Sequence, residues 1–160
     1  MTLRRAVFGF DSANVLESTN TDRPGDMFDN CQRICLAASG TSWHADRYGK
    51  YLIEELVGVP VDLEYASDYR YRRKPHVQNT IMLALSQSGE TADTLAALRN
   101  FQETGQPSLA ICNVPGSTLA DATPFLNAGQ ESGVAATKTY TSQLMVLASL
   151  AMAGGSAERH

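Results

Sequence analysis

The chain has 160 residues, 43% of them hydrophobic and 19% charged, which suits one packed domain and argues against disorder. Thirteen Lys and Arg against seventeen Asp and Glu leave a net charge of −4, so no global basic field exists to hold a nucleic-acid backbone. The longest strongly apolar stretch, Leu144 to Ala153, has ten residues, about half of a membrane span, and the Met-Thr-Leu-Arg-Arg start has no apolar signal region.

Residues 1–30 show no sustained period and read as an irregular leader with a turn signal at Pro24-Gly25. Ile34 to Ala38 is a short continuous apolar run, a buried strand, ending in the polar turn Ser39-Gly40-Thr41-Ser42. Ala45, Tyr48, Gly49, Leu52, Ile53 and Leu56 then fall on one helical face. Asp46–Lys50 and Lys50–Glu54 are spaced as i,i+4 pairs on the other side. Pro60 follows the helix end, and Val61 to Tyr65 is a second strand. The unit repeats with a strand at Thr80 to Leu85, the turn Ser86 to Thr91, and a helix carrying Leu95, Leu98 and Phe101 that stops at Gly105. Leu109 to Cys112 is a fourth strand and Phe125-Leu126 a short fifth. A last helix runs from about Val134 to Ala153, stopped by Gly154-Gly155, and residues 156–160 form a polar tail.

Strands alternating with helices at this spacing predict an α/β fold over residues 31–155, with a central, mostly parallel sheet covered on both faces. Such sheets bind ligands beyond the carboxyl ends of their strands, where both polar turns fall. Ser86, Gln87, Ser88 and Thr91 pack three hydroxyls and an amide around Gly89 at a helix start. That set suits a phosphate, because helix N-termini present unpaired N–H groups and a partial positive charge. Thr41 and Ser42 repeat the arrangement at the first strand, so the two loops are expected to face one ligand. Neither loop is a Walker A or a dinucleotide fingerprint. The plainer alternative is that Ser88, Thr41 and Ser42 are only helix caps.

A longer series carries a resemblance: Ser39 to Ala45, Gly49 to Leu56, Glu64 to Ser67 with Arg70 to Arg72, Ser86 to Leu95, Ile111 to Asn113, Gly116 to Thr118, Gly133 to Ala135, and Thr137-Lys138. Over about residues 31–150 it closely resembles the glucosamine-6-phosphate synthases, the glutamine–fructose-6-phosphate aminotransferases (isomerizing), in the first of their two sugar isomerase (SIS) domains. The resemblance implies a three-layer α/β/α SIS fold that binds fructose 6-phosphate or glucosamine 6-phosphate. Ser86, Gln87, Ser88 and Thr91 match the residues holding the sugar phosphate, Thr41 and Ser42 match sugar-contacting positions, and Val134 matches a backbone contact. Ser39, Ser132 and Ala136 stand where the family usually has Cys, Ile and Ser. The family's glutaminase nucleophile is an N-terminal Cys, whereas Thr2 follows Met1 here. Its isomerase acid/base groups belong to the second SIS domain and the tail. The expectation is therefore a sugar-phosphate-binding piece with no cofactor and no turnover of its own, paired with a second SIS domain or another copy.

The remaining chemistry-bearing residues have simpler readings. His44 is a packing residue near a helix start, and His76 and His160 belong to no metal pattern. Glu90 complements the helix dipole in preference to serving as a general base. Arg70, Arg72, Arg73 and Lys74 form a solvated loop or subunit-contact segment. Lys138 lies in the last helix, and Cys112 is a small core residue. With Cys31 and Cys35, Cys112 makes three cysteines that cannot all pair, as expected of a reduced, cytoplasmic protein. A stand-alone sugar-phosphate sensor is the competing reading; residues 1–30 show no helix pair to make a DNA-binding motif. A small single-domain isomerase is a third, with His44, His76 and Glu90 its only candidate bases.

Overall fold

The computed structural model describes residues 26–72, 75, 77–119 and 137–155. Strands β1 (Arg33–Ala38), β2 (Val61–Tyr65), β3 (Thr80–Ser86) and β4 (Ser108–Cys112) alternate with helices α1 (Thr41–Leu56), α2 (Ala66–Tyr71), α3 (Ala92–Gln102) and α4 (Thr137–Gly155). The strands form one parallel sheet in the order β2-β1-β3-β4. From β1 the chain moves outward to β2, then returns to the other side of β1 to lay down β3. The direction of winding reverses between β1 and β3, and in parallel sheets such a switch point is where ligands bind, beyond the carboxyl ends of the strands. Their register pairs Ala38 with Leu85, so the loops leaving both strands start side by side.

The two sheet faces differ in side-chain size. Ile34, Leu36, Ile81, Leu83, Leu85, Leu109 and Ile111 project to one face and pack under α1 and α4. Cys35, Ala37, Met82, Ala84, Ala110 and Cys112 project to the other, under Leu98 and Phe101 of α3 and Tyr69 of α2. Period-two alternation within fully buried strands thus sorts large aliphatics to one side and mostly small residues to the other. The result is a three-layer α/β/α sandwich. Phe28, just before β1, is buried in the first core with Met27 packed against it. No helix among the described residues is long and apolar enough to cross a membrane.

Several local expectations are corrected. The buried stripe of α1 is Ser42, Ala45, Asp46, Gly49 and Ile53, while Tyr48 and Leu56 are exposed. The stripe is rotated because α1 is covered by α4 as well as by the sheet; a Cβ on Gly49 would stand 2.8 Å from Leu147 Cδ1. Asp46 is consequently fully buried and forms no pair with Lys50. Lys50 instead bonds Glu54 and the Val61 carbonyl, and Glu54 accepts the Val61 N–H at 3.0 Å. Gly154 and Gly155 are the last two described residues of α4, where its end was expected, and they also have a packing role. A Cβ on Gly154 would meet the Phe28 ring at 2.5 Å, and one on Gly155 the Leu56 carbonyl at 2.7 Å, so both permit close packing.

The expected basic loop begins as helix α2. Arg70 pairs with Asp93 at 3.1 Å and Arg72 binds both Glu64 oxygens at 3.0 Å, so these cations answer local carboxylates. Residues 1–25, Arg73, Lys74, His76, the expected strand at Phe125-Leu126, Ser132, Val134, Ala136 and the tail with His160 lie outside the described residues.

Candidate functional site

The loop after β3 folds around its own hydroxyls. Buried Ser86 Oγ accepts the Gly89 N–H at 3.1 Å and lies 3.0 Å from Thr91 Oγ1. One hydroxyl of that pair donates to the other, which leaves one proton of the two for a further acceptor. Ser88 Oγ accepts the Glu90 N–H at 3.1 Å, in the manner of a serine turn. Ser88 therefore does not cap α3. The cap residue is Thr91, and its side chain makes no capping bond because it is turned toward Ser86. The first-turn N–H groups of α3 have no partner within the helix and open beside this loop. Gln87 and Ser88 are half-buried at its rim.

Gly89 has a reason in space as well as in torsion. Its φ is +67°, and a Cβ there would fall 2.0 Å from Ser117 Oγ. The turn following β4 is pressed onto the loop at this point. The Leu119 N–H donates to the Gly89 carbonyl at 3.1 Å and the Asn113 N–H to the Gln87 carbonyl at 3.2 Å. Glu90 Oε1 accepts the Thr118 N–H at 2.6 Å and Oε2 accepts the Thr118 hydroxyl at 2.8 Å. Those two bonds, the backbone one first, hold the Glu90 carboxyl below its ordinary range. Neither role weighed for Glu90 from the sequence, base or dipole partner, describes this bridge.

The loop after β1 is built otherwise. Gly40 stands at the helix cap with φ +58° and ψ −132°, a region essentially reserved for glycine, and no side chain caps α1. Capping is thus not the task of Thr41 or Ser42, which begin the helix itself. Ser42 is 5% exposed and its Oγ accepts Gln143 Nε2 of α4 at 2.9 Å. Thr41 is half-buried beyond the carboxyl end of β1, at the start of a 16-residue helix. Trp43 stacks on Tyr65 with centroids 4.3 Å apart, and exposed His44 meets the Trp43 edge.

Of the predicted contacts, Thr41, Ser42, Ser86, Gln87, Ser88 and Thr91 sit in the two adjacent loops, while Val134 lies outside the described residues. Lys138 is exposed in the first turn of α4. Sequence reasoning gave no role to Gln143, Ser117 or Thr118, and placed Asp46 in a surface pair with Lys50 instead of in the core. A lone amide in an apolar helix and a Gly-Ser-Thr turn after a buried strand were the available signals.

The relatives agree with this architecture. Residues 27–153 match the SIS domain family. A glutamine–fructose-6-phosphate aminotransferase (isomerizing) of Chlorobaculum tepidum is 49% identical over 131 residues, 80% of this chain and 21% of that protein. Its namesake from Methanosarcina mazei is 44% identical over 154 residues, 94% of this chain and 25% of that protein. The solved C-terminal domain of glucosamine-fructose-6-phosphate aminotransferase from Francisella tularensis superposes with a TM-score of 0.77 at 37% identity, covering 91% of this chain and 44% of that one. The chain thus spans between a fifth and a quarter of these two curated relatives. On the matched residues and the shared fold, the chain belongs to the SIS domain family.

Proposed function

We propose that this domain binds the phosphate of a phosphorylated ketose, fructose 6-phosphate, as the first SIS domain of a glutamine–fructose-6-phosphate aminotransferase. One observation carries the reading: two hydroxyl-rich loops, each opening a helix, stand side by side at the β1–β3 switch point. Their hydroxyls and helix N-termini suit a phosphate dianion without a strong cation. In this reading Ser86, Gln87, Ser88 and Thr91 hold the phosphate, Thr41 and Ser42 contact the sugar, and Val134 adds a backbone contact. The bound sugar is oriented here for chemistry completed by groups from a second SIS domain or another copy, in a cytoplasmic protein that forms glucosamine 6-phosphate.

Calorimetry tests the reading directly. Fructose 6-phosphate is expected to bind and fructose not to. A hydrogen bond to a charged partner contributes about 1.5–3 kcal/mol, so Ser88→Ala is expected to weaken binding roughly ten- to a hundredfold. Equal affinity for the two sugars would overturn the assignment.

A further inference from the structure

The bridge between Glu90 and Thr118 joins two loops of the site in solvent. Glu90 stands beside Gly89, the residue around which the Ser86–Thr91 loop closes, and Thr118 stands in the turn after β4. Both Glu90 oxygens are taken by Thr118, at 2.6 and 2.8 Å. Next to this bridge the Gly89 carbonyl accepts the Leu119 N–H at 3.1 Å, and the Gly89 Cα lies against Ser117 with no room for a Cβ. A carboxylate whose two oxygens accept from one threonine is poorly placed to take a proton from a substrate.

We propose that Glu90 is a positioning residue, which clasps the turn after β4 and thereby holds the Ser86–Thr91 loop in its anion-cradling shape. The inference rests on the phosphate-binding reading of that loop. Three features favour local positioning over general stability. Both partners are exposed, so water and ions weaken what the bridge adds to the fold as a whole. The contact is bidentate, so it fixes orientation as well as distance. It also acts where orientation matters, because an anion cradle gains affinity from being formed before the ligand arrives.

The test uses the full chain, with fructose 6-phosphate titrated by calorimetry and backbone amide exchange followed without ligand. Glu90→Ala is expected to lower affinity by about tenfold, the scale of one well-placed charge-assisted contact, with little change in melting temperature. Exchange at the Gly89 and Leu119 amides is expected to accelerate in the same variant. Glu90→Gln is expected to recover most of the affinity, since its amide oxygen still accepts the Thr118 N–H and its nitrogen can donate to Thr118 Oγ1. Adding Thr118→Val to Glu90→Ala is expected to weaken binding little further, because the two residues act through one contact. Wild-type affinity in Glu90→Ala would overturn the positioning role while leaving phosphate binding intact. A wild-type chain that ignores fructose 6-phosphate would overturn the binding reading, and the positioning role with it. Unchanged exchange at Gly89 and Leu119 would overturn the clasp whatever the ligand result.

Discussion

The two hydroxyl loops leave neighbouring parallel strands at matched register, yet different neighbours hold them. The loop after β3 is tied to itself through Ser86, Thr91 and Ser88, then to the turn after β4 through Gly89 and Glu90. The loop after β1 depends on a glycine torsion and on one buried bond from Ser42 to Gln143, a partner 101 residues away. A winding reversal explains the division: α1 departs toward the face covered by α4, and α3 toward the opposite face. One site is therefore supported from both sides of the sheet, by a local network and by a long-range helix contact.

The glycines separate the two designs most strongly. Gly89 and Gly40 both have positive φ, at +67° and +58°. An alanine at either pays a torsional penalty of about 1–3 kcal/mol. Around Gly40 nothing lies within 4 Å of an added Cβ, so that penalty is the whole cost. At Gly89 the added carbon meets Ser117 Oγ at 2.0 Å and Ser117 Cβ at 2.6 Å. Rotating the serine relieves only the first contact, and shifting the turn costs about 1–3 kcal/mol more. Urea unfolding of both alanine variants is expected to show the larger loss for Gly89→Ala. Equal losses would mean the turn after β4 yields freely.

Behind the first loop lies a buried carboxyl, where the corresponding turn of α3 carries the neutral hydroxyl of Thr94. Asp46, one turn beyond Ser42 on the stripe facing α4, is 0% exposed and neither carboxyl oxygen has a hydrogen-bond partner. The only charged residue of α4 is Lys138, exposed in its first turn, and Lys50 of α1 is turned to Glu54 and Val61. The sheet face beneath presents Ile34, Leu36, Ile81 and Leu83, none of which titrates. Burial accordingly pushes the Asp46 carboxyl well above its ordinary range. The folded chain then binds a proton that the unfolded chain releases near pH 3.9, about the ordinary aspartate value. Its contribution is fully present below that pH and is lost progressively as pH rises toward the folded value. Asp46→Asn lacks this loss, so its stability is expected to match wild type near pH 4 and to exceed it increasingly toward pH 7. Denaturation across that range checks the sign; a constant difference would show that Asp46 does not titrate with folding.

The four described strands were legible because buried parallel strands are short apolar runs bounded by turn residues, and Val61–Tyr65 falls where the pattern put it. Both loops were legible for the same reason, as clusters of hydroxyls and glycine at strand ends. What escaped depends on distant partners. The α1 stripe includes Ser42 and Asp46 only because α4 packs there, and periodicity alone favoured Tyr48 and Leu56. Helix α2 escaped because six residues are too few for a period to show. Glu90 escaped because nothing in the chain order places Thr118 against it.

The smallest expected effect divides support from contact within the first loop. Ser42→Ala leaves the buried Gln143 amide without its acceptor, a loss of about 1–2 kcal/mol. Replacing both partners, Ser42→Ala with Gln143→Met, removes the unsatisfied group and keeps the volume, so stability is expected to return close to wild type. Affinity for fructose 6-phosphate separates the two roles. If Ser42 touches the sugar, the double variant regains stability but not affinity, because the hydroxyl is still missing. If Ser42 serves only to seat the start of α1 against α4, affinity returns together with stability. Calorimetry on the single and double variants at one pH distinguishes these outcomes. Recovery of binding in the double variant would remove Ser42 from the proposed sugar contacts and leave Thr41 as the first loop's proposed side-chain contact.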